Sequence, residues 1–211
     1  MQEVLILSKT HFGGLYCVGG IVIGTNQYVR LINAGNVYQP ANTKFEVGQI
    51  WEIDFNNPKK VIEPHNEDVT IKKIGKRLSS KEPQHLAIHI QQMGVPVWVG
   101  SPRNLFNKLL KWTSKDKGFI NDPSNLPTHS VGFWIPDQDL VKVIEDGKAY
   151  YRYSSKFIHY VFPYVGSVSA IDKIPKDTLI RVSLAKWKQW PAFEGQDQIE
   201  PRCYLQLSGW Y

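Results

Sequence analysis

The side chains with the most evident chemistry in this sequence are aromatic rings and cations that alternate between positions 148 and 162. Alternate residues of a β-strand share a face, so Tyr151 and Tyr153 would lie on one side and Tyr150 and Arg152 on the other. Aromatic rings can stack on bases while Lys and Arg neutralise phosphates. We predict nucleic-acid contacts here from Lys148, Tyr151, Arg152, Tyr153, Lys156 and Tyr160. The alternative is that the rings form a core and the cations its solvated outer face.

A second cluster of this kind is the segment 186–190, KWKQW, directly after a predicted strand. Two exposed tryptophans in a loop are costly unless they bind something. We therefore predict nucleic-acid contacts from Lys186, Trp187, Lys188 and Trp190. The same rings could equally close the end of a barrel or pack against another domain.

Three further groups of residues carry weaker signals. Lys9 and Arg30 each interrupt or end an apolar strand, where a cation often faces a rim or a ligand, so both are possible ligand contacts. The basic residues of 72–77 are better explained as a solvated face. Glycines at 13–14 and 19–20 fit no phosphate-loop motif and precede a strand instead of a helix, so turns and bulges explain them better.

Metal and nucleophile chemistry finds little support. His85 and His89 would share a helix face, as in helical zinc sites, but no Glu lies between them and no third ligand is evident. The other four histidines belong to no nucleophile motif. We predict no catalytic residues, no metal site and no cofactor.

Composition limits the class of protein. The chain has 211 residues, 42% of them hydrophobic and 21% charged, which excludes wholesale disorder. Seven Trp, ten Tyr and nine Phe favour sheets, and the net charge of +6 permits a polyanionic partner without requiring one. The sequence shows neither a signal peptide nor a membrane-spanning run, so we expect a cytoplasmic protein without a membrane partner, in which Cys17 and Cys203 stay unpaired.

The strand pattern predicts a mainly β protein with two small barrels. Five strands are expected in the first part, as a meander, and the Gly24-Thr25-Asn26 turn separates the second from the third. Two short helices come next, one with Ser80 as its N-cap and Gly94 as its stop, the other beginning at Ser101-Pro102. The stretch 114–130 is the best candidate for a loop.

Strands return from position 131, with Glu145-Asp146-Gly147 as a hairpin signal. We predict an N-terminal barrel over 1–78, a helical connector and loop over 79–130, and a C-terminal barrel over 131–211. The two helices would therefore separate two strand-rich domains of similar size.

Several phrases resemble a family of bacterial proteins described as containing a dual OB domain. They are the segments at 9–10 and 17–21, at 28–32, at 47–51 and at 205–211. The resemblance extends over nearly the whole chain and implies two OB-like β-barrels. It implies no reaction and supplies no catalytic residues.

These observations predict a non-catalytic module that binds single-stranded DNA or RNA by stacking and charge. A first alternative is a protein-interaction or scaffolding component of a bacterial multi-protein system, with the exposed aromatics as its interface. A second alternative is an enzyme that acts on nucleotides or nucleic acid, for which Lys9, Arg30, Glu52 and Asp54 would be tested. The spacing of those four residues specifies no reaction.

Overall fold

The computed structural model describes residues 1–58, 61–156, 158–189 and 199–211. The protein is mainly β, as predicted, and the C-terminal half adds a curled sheet to an N-terminal closed barrel. Among the described residues, no helix is long and apolar enough to cross a membrane.

The first five strands close into a barrel. They are β1 (Gln2–Phe12), β2 (Leu15–Val22), β3 (Tyr28–Ile32), β4 (Gln49–Asn56) and β5 (Asp68–Ser80). Their order around the barrel is β1-β2-β3-β5-β4, with β3 and β5 parallel and the other pairs antiparallel. The predicted meander is therefore wrong in one respect. Strands β3 and β4 are not neighbours, because β5 lies between them and pairs with both.

Local sequence signals explain the tight hairpins. Gly13 and Gly14, with φ of +54° and +82°, form the two-residue turn from β1 to β2, a backbone that other residues rarely adopt. Asp146 and Gly147 form a later hairpin turn in the same way, as their sequence predicted.

The connector contains one α-helix. Helix α1 (Pro83–Gln92) has Glu82 as its N-cap, not Ser80, because β5 continues through Ser80. The second predicted helix does begin at Ser101, whose Oγ accepts from the backbone N–H of Arg103, but it is a 3₁₀ segment (Pro102–Lys108). Left-handed φ values at Phe106 and Asn107 interrupt it while the Phe106 ring is buried in the second core.

Short strands in this part of the chain join the C-terminal half. They are β6 (Val97–Val99), β7 (Lys111–Trp112) and β8 (Gly118–Ile120). Strand β8 lies inside the predicted loop 114–130, and all three of its residues are buried. The loop prediction missed it because its flanking Pro, Gly and Asn residues dominate the local signal.

The remaining strands form two sheets. They are β9 (Val131–Ile135), β10 (Leu140–Glu145), β11 (Lys148–Ser155), β12 (Ile158–Pro163), β13 (Lys173–Ile174), β14 (Ile180–Leu184) and β15 (Cys203–Trp210). One sheet has the order β12-β11-β10-β13 and the other β6-β9-β14-β15-β8-β7. Both enclose a single core that includes Trp134, Tyr151 and Phe162.

The two halves share a third hydrophobic core. Leu5, Leu7 and Ile21 of the barrel pack with Phe133 and Leu179 of the C-terminal half. The hydroxyl of Tyr211 donates to the backbone carbonyl of Leu7, which joins the end of the chain to the first strand. The halves therefore meet across packed apolar surface, and polar residues continue this contact at one side.

Candidate nucleic-acid interface

The tyrosines predicted to stack on bases lie in the core. Tyr151, Tyr153 and Tyr160 are 0%, 2% and 3% exposed. The Tyr151 hydroxyl donates to the carbonyl of Ile171 at 2.8 Å, and that of Tyr153 donates to Asp137 Oδ1 at 2.9 Å. Their rings are enclosed by the two sheets, so they cannot stack on a ligand without unfolding the core, and we leave them out of the interface.

The cations of the same hairpin lie on its outer face. Lys148, Arg152 and Lys156 are exposed. The half-buried Tyr150 ring carries the ammonium of Lys117 at 4.7 Å from its centroid. The predicted alternation is present, but it separates core rings from solvated cations, as the alternative interpretation stated.

The tryptophan cluster contacts the first barrel. Trp187 Nε1 donates to the carbonyl of Glu63 at 2.6 Å, and Lys186 Nζ forms an ion pair with Asp68. Lys188 is exposed and shares two backbone hydrogen bonds with Arg202. Trp190 lies outside the described residues. The Trp187 indole packs against the core of its own half, and only its N–H reaches the first barrel, so it is a structural residue as the alternative interpretation proposed.

Lys9 and Arg30 are both buried, at 8% and 6% exposure. Lys9 Nζ lies 2.6 Å from Glu46 Oε1. Arg30 donates from Nη2 to Glu67 at 2.5 Å and from Nη1 to Asp68 at 2.6 Å. Each of these two cations therefore has a carboxylate partner within the fold.

The two acids considered for an enzyme site lie elsewhere on the barrel. Glu52 and Asp54 are on β4, where they pair with Glu3 of β1 and Lys73 of β5. They contribute nothing to the surroundings of Arg30, whose carboxylate partners come from the start of β5 and the residue before it. The four residues of the enzyme alternative therefore form no common site.

A cleft between the two halves does bring several of the predicted cations together. It has a volume of about 100 Å³ and continues past Tyr38 and Lys186 into a second cavity of about 210 Å³. Arg30 and Lys186 line the cleft, and sequence reasoning did not single out its third cation, Arg181. We call this space the interbarrel cleft.

Strand alternation explains why the cleft is polar. On β14, the side chains of Ile180, Val182 and Leu184 enter the second core, while Arg181 and Ser183 line the cleft. A single strand therefore supports a hydrophobic core on one face and a polar wall on the other. The sequence signal that could have indicated this wall is the alternation of Arg181 and Ser183 with apolar residues in one strand.

Aromatic rings of the β1–β2 hairpin stand at the mouth of the cleft. His11 and Phe12 both line it, and Phe12 is 54% exposed. The Phe12 ring packs on Tyr38 with centroids 4.7 Å apart, and His11 packs on Tyr16 at 4.8 Å. Aromatic rings and cations therefore come together at this cleft, whereas the sequence predicted them together in the segments 148–162 and 186–190.

A buried polar network lies behind the cleft and joins the two halves. Ser130 Oγ donates to Glu67 and accepts from Arg30 Nη2 at 3.0 Å. His65 Nδ1 lies 2.7 Å from the same hydroxyl, and its Nε2 is 3.8 Å from Cys203 Sγ. Because Ser130 Oγ has its own proton on Glu67, His65 carries its proton on Nδ1 and donates it.

Burial and charge set the ionisation of this network. Burial lowers the pKa of His65, with Arg30 and Lys186 acting in the same direction, so the imidazole is neutral. Burial alone would raise the pKa of Glu67, but Arg30, His65 and Ser130 hold it well below its usual range. Burial also raises the pKa of the Cys203 thiol to about 12. The network therefore contains the Arg30–Glu67 ion pair and three neutral partners, Ser130, His65 and Cys203.

This Ser, His and Glu grouping is not a hydrolase site. Ser130 is 0% exposed and His65 is 1% exposed, so no substrate reaches the hydroxyl. The Ser130 proton is held by Glu67 rather than by the imidazole, which is the reverse of an activated serine. The group serves to join the halves.

The network predicts acid sensitivity. The pKa of His65 is lower in the folded protein than its ordinary 6.5, so the unfolded state gains a proton first and stability is lost as the pH falls below about 6.5. The pKa of Glu67 is also lowered, so further stability is lost as the pH falls below about 4.5. Each proton taken up on unfolding can lower the free energy of unfolding by about 1.4 kcal/mol per pH unit. Urea unfolding at pH 7.5, 6 and 5 measures this.

His65→Gln should reduce the loss between pH 7 and 5. His159→Gln, at an exposed imidazole, should leave it unchanged. An unfolding free energy that is equal at pH 7.5 and pH 5 in the unmodified protein would contradict the assignment of a neutral buried His65.

The fold and the position of the cleft together define a class of protein. A closed five-stranded barrel in the order β1-β2-β3-β5-β4 is the OB fold, which binds oligonucleotides and oligosaccharides on its second and third strands and at the loops after its first and fourth. The sequence matches the dual OB-containing domain family over residues 2–210. The chain therefore belongs to this family, which confirms the resemblance seen in its sequence.

Comparisons with individual proteins add little. No curated protein matches the sequence. One of two matching solved chains is described as "Structure of murine DNA binding protein bound with ds DNA"; it is 10% identical, with 97% of this chain and 91% of that chain covered and a TM-score of 0.29. A similarity at that TM-score carries no argument about function.

Proposed function

We propose that this protein binds single-stranded nucleic acid along the interbarrel cleft. The observation that carries the proposal is the place of the cleft on the first barrel. Its lining includes the β1–β2 hairpin and β3, and the adjoining cavity includes the loop from β4 to β5. Those are the elements with which OB barrels hold oligonucleotides.

The side chains of the cleft supply both parts of such binding. Phe12 offers an exposed ring on which a base can stack. Arg181 and two cations with carboxylate partners, Arg30 and Lys186, line the cleft. Of the three, Arg181 lacks a carboxylate partner among the described residues, so its positive charge is the one available to a backbone phosphate. Exposed cations of the β11 hairpin provide a second basic surface for phosphates; they are Lys148, Arg152 and Lys156.

A single strand fits this geometry better than a duplex. The cleft is a narrow space between two packed halves, and its aromatic rim needs the face of an unpaired base. The sequence contains no motif that we associate with base readout, so the expected binding depends on stacking and charge rather than on base identity.

Fluorescence anisotropy with labelled single-stranded DNA, single-stranded RNA and duplex at two salt concentrations tests the proposal. We expect single strands to bind and their affinity to fall steeply with salt, because each neutralised phosphate releases counterions. Phe12→Ala should cost about 1–3 kcal/mol of binding free energy for the lost stacked base. No binding of any oligonucleotide at low salt would refute the function.

Matched controls lie on the far part of β5. Leu78→Ala removes an exposed apolar side chain, and Lys76→Gln removes an exposed cation. Both lie some eight to ten residues beyond Asp68, about 30 Å along the strand from the cleft. Equal losses from Phe12→Ala and Leu78→Ala would place binding outside the cleft, and tighter binding of duplex would contradict the single-strand preference.

A further inference from the structure

Arg181 is a buried cation without a carboxylate partner among the described residues. The residue is 4% exposed, and its Nη1 donates to Ser208 Oγ at 3.1 Å. Its Nε is buried and makes no hydrogen bond within the part of the chain that the structure describes. A guanidinium normally satisfies most of its five donors when it is buried, so this one lacks partners.

Such a group is expensive for the free protein. Burying an unpaired charge is among the least favourable arrangements in a protein interior. Burial lowers the pKa of Arg181, the nearby Arg30 lowers it further, and only Tyr211, Cys17 and Tyr28 oppose them. Burial raises the pKa of Tyr28 and of Tyr211, so these two phenols stay neutral and do not neutralise the guanidinium.

The neighbouring cations cannot share their counter-ions with it. Arg30 is held by Glu67 and Asp68, and Lys186 is held by Asp68. Three cations of the cleft therefore face two carboxylates, and Arg181 carries the excess positive charge. The missing partner is an anion with about one negative charge near the guanidinium.

The cleft has space for that anion. Arg181 is one of the residues that line it. On its other side the guanidinium is tightly packed, because a Cβ added at Gly19 would stand 2.7 Å from Nη2 and 2.8 Å from Ser8 Oγ. The volume of about 100 Å³ is several times the 10–15 Å³ that one water needs on the same measure. Ser183 and Gln206 add polar side chains to the wall.

We propose that the floor of the interbarrel cleft binds a phosphate group, with Arg181 as its principal cation. Arg181 lines the cleft, and a planar guanidinium is suited to the oxygens of a phosphate. Inorganic phosphate and a phosphate of nucleic acid both present anionic oxygens to a guanidinium, and they differ in the groups that are esterified to the phosphorus. The nucleic-acid source rests on the proposed function, whereas the phosphate site itself does not.

Thermal unfolding in potassium phosphate and in potassium chloride of equal ionic strength tests the site. We expect phosphate to raise the melting temperature of the unmodified protein, because a ligand that binds only the folded state stabilises it. Arg181→Met should lower the affinity for phosphate about 10- to 100-fold and remove that rise. Without phosphate it should melt at the same temperature or higher, because an unpaired buried charge has been removed.

Arg77→Met is the matched control, since Arg77 is exposed on the far part of β5, and it should keep the phosphate effect. Gly19→Ala is the second variant: it keeps the charge but places a methyl group against Nη2, and it should weaken phosphate binding. If Arg181→Met does not fold, the effect of phosphate on the melting temperature of Gly19→Ala tests the site. A phosphate effect that is absent from the unmodified protein, or unchanged in these cleft variants, overturns the site.

An oligonucleotide arm separates the two sources of phosphate and the two proposals. If Arg181→Met weakens binding of single-stranded DNA and of inorganic phosphate alike, the site holds a nucleic-acid phosphate. If phosphate stabilises the protein but no oligonucleotide binds, the function proposed above fails and the phosphate site stands, with a small phosphate compound as its ligand. If oligonucleotides bind but phosphate has no effect, the site fails and the function stands.

Discussion

Replacing Glu67 by Gln should lower the free energy of unfolding by about 3–5 kcal/mol, because it removes the more buried of the two carboxylates of Arg30 and leaves only Asp68, which Lys186 shares. The carboxylate is 1% exposed and lies 2.5 Å from Arg30 Nη2. It also accepts from the Ser130 hydroxyl and backbone N–H, so one change disturbs both halves. Urea unfolding at pH 7.5 measures the loss.

The matched control is Glu46→Gln at the other buried-cation pair. Glu46 is 58% exposed, so water already screens its charge, and we expect a loss of about 1 kcal/mol or less. The double variant Arg30→Met with Glu67→Gln should lose less than the sum of the two single changes, since removing both charges leaves none buried alone. Equal losses for Glu67→Gln and Glu46→Gln would show that the buried pair contributes no more than a surface one.

Replacing Phe133 by Ala should also cost about 3–5 kcal/mol, because the cavity lies in the core that the two halves share. Phe133 is 0% exposed, with its ring 6.3 Å from that of Tyr28 and 6.1 Å from that of Tyr211. We expect the halves to unfold in one transition, since each lends residues to this core.

The unfolding of the two halves can be monitored separately. Six of the seven tryptophans lie after β5, so fluorescence reports mainly on the C-terminal half, whereas far-ultraviolet circular dichroism reports on both. The two signals should change together in the unmodified protein and in Phe133→Ala. Ile144→Ala, at a side chain that is 61% exposed, should cost about 0.5 kcal/mol or less. If the fluorescence and circular dichroism signals changed in different transitions, the halves would unfold independently.

Much of the fold was predictable because strands and tight turns are local. Strands were predicted to return at position 131, and β9 begins at that residue. Asp146-Gly147 specified a hairpin, since those residues accept positive φ. The order of strands was not predictable in this way, because the pairing of β3 with β5 joins residues that are far apart in the chain.

The candidate site was predicted less well than the fold. Alternation correctly separated Tyr151 and Tyr153 from Arg152, but it cannot say which face of a strand is covered. Arg30 and Lys186 were chosen individually, and nothing in their spacing showed that they would line one cleft. Phe12 and Arg181 were missed, because a single ring beside a turn and a single cation in a strand are common in any β protein.

The sequence by itself determined a mainly β chain with two strand-rich halves, since periodicity and turn residues act over a few positions. It also determined the family, through short phrases spread along nearly the whole chain. Only the tertiary structure decided which cations keep a counter-ion. Asp68 pairs with Arg30 within the first barrel and with Lys186 across the contact between the halves, and Arg181 is left without a carboxylate among the described residues. Charge balance depends on distances between segments that are remote in the chain, and only packing of the two halves sets those distances.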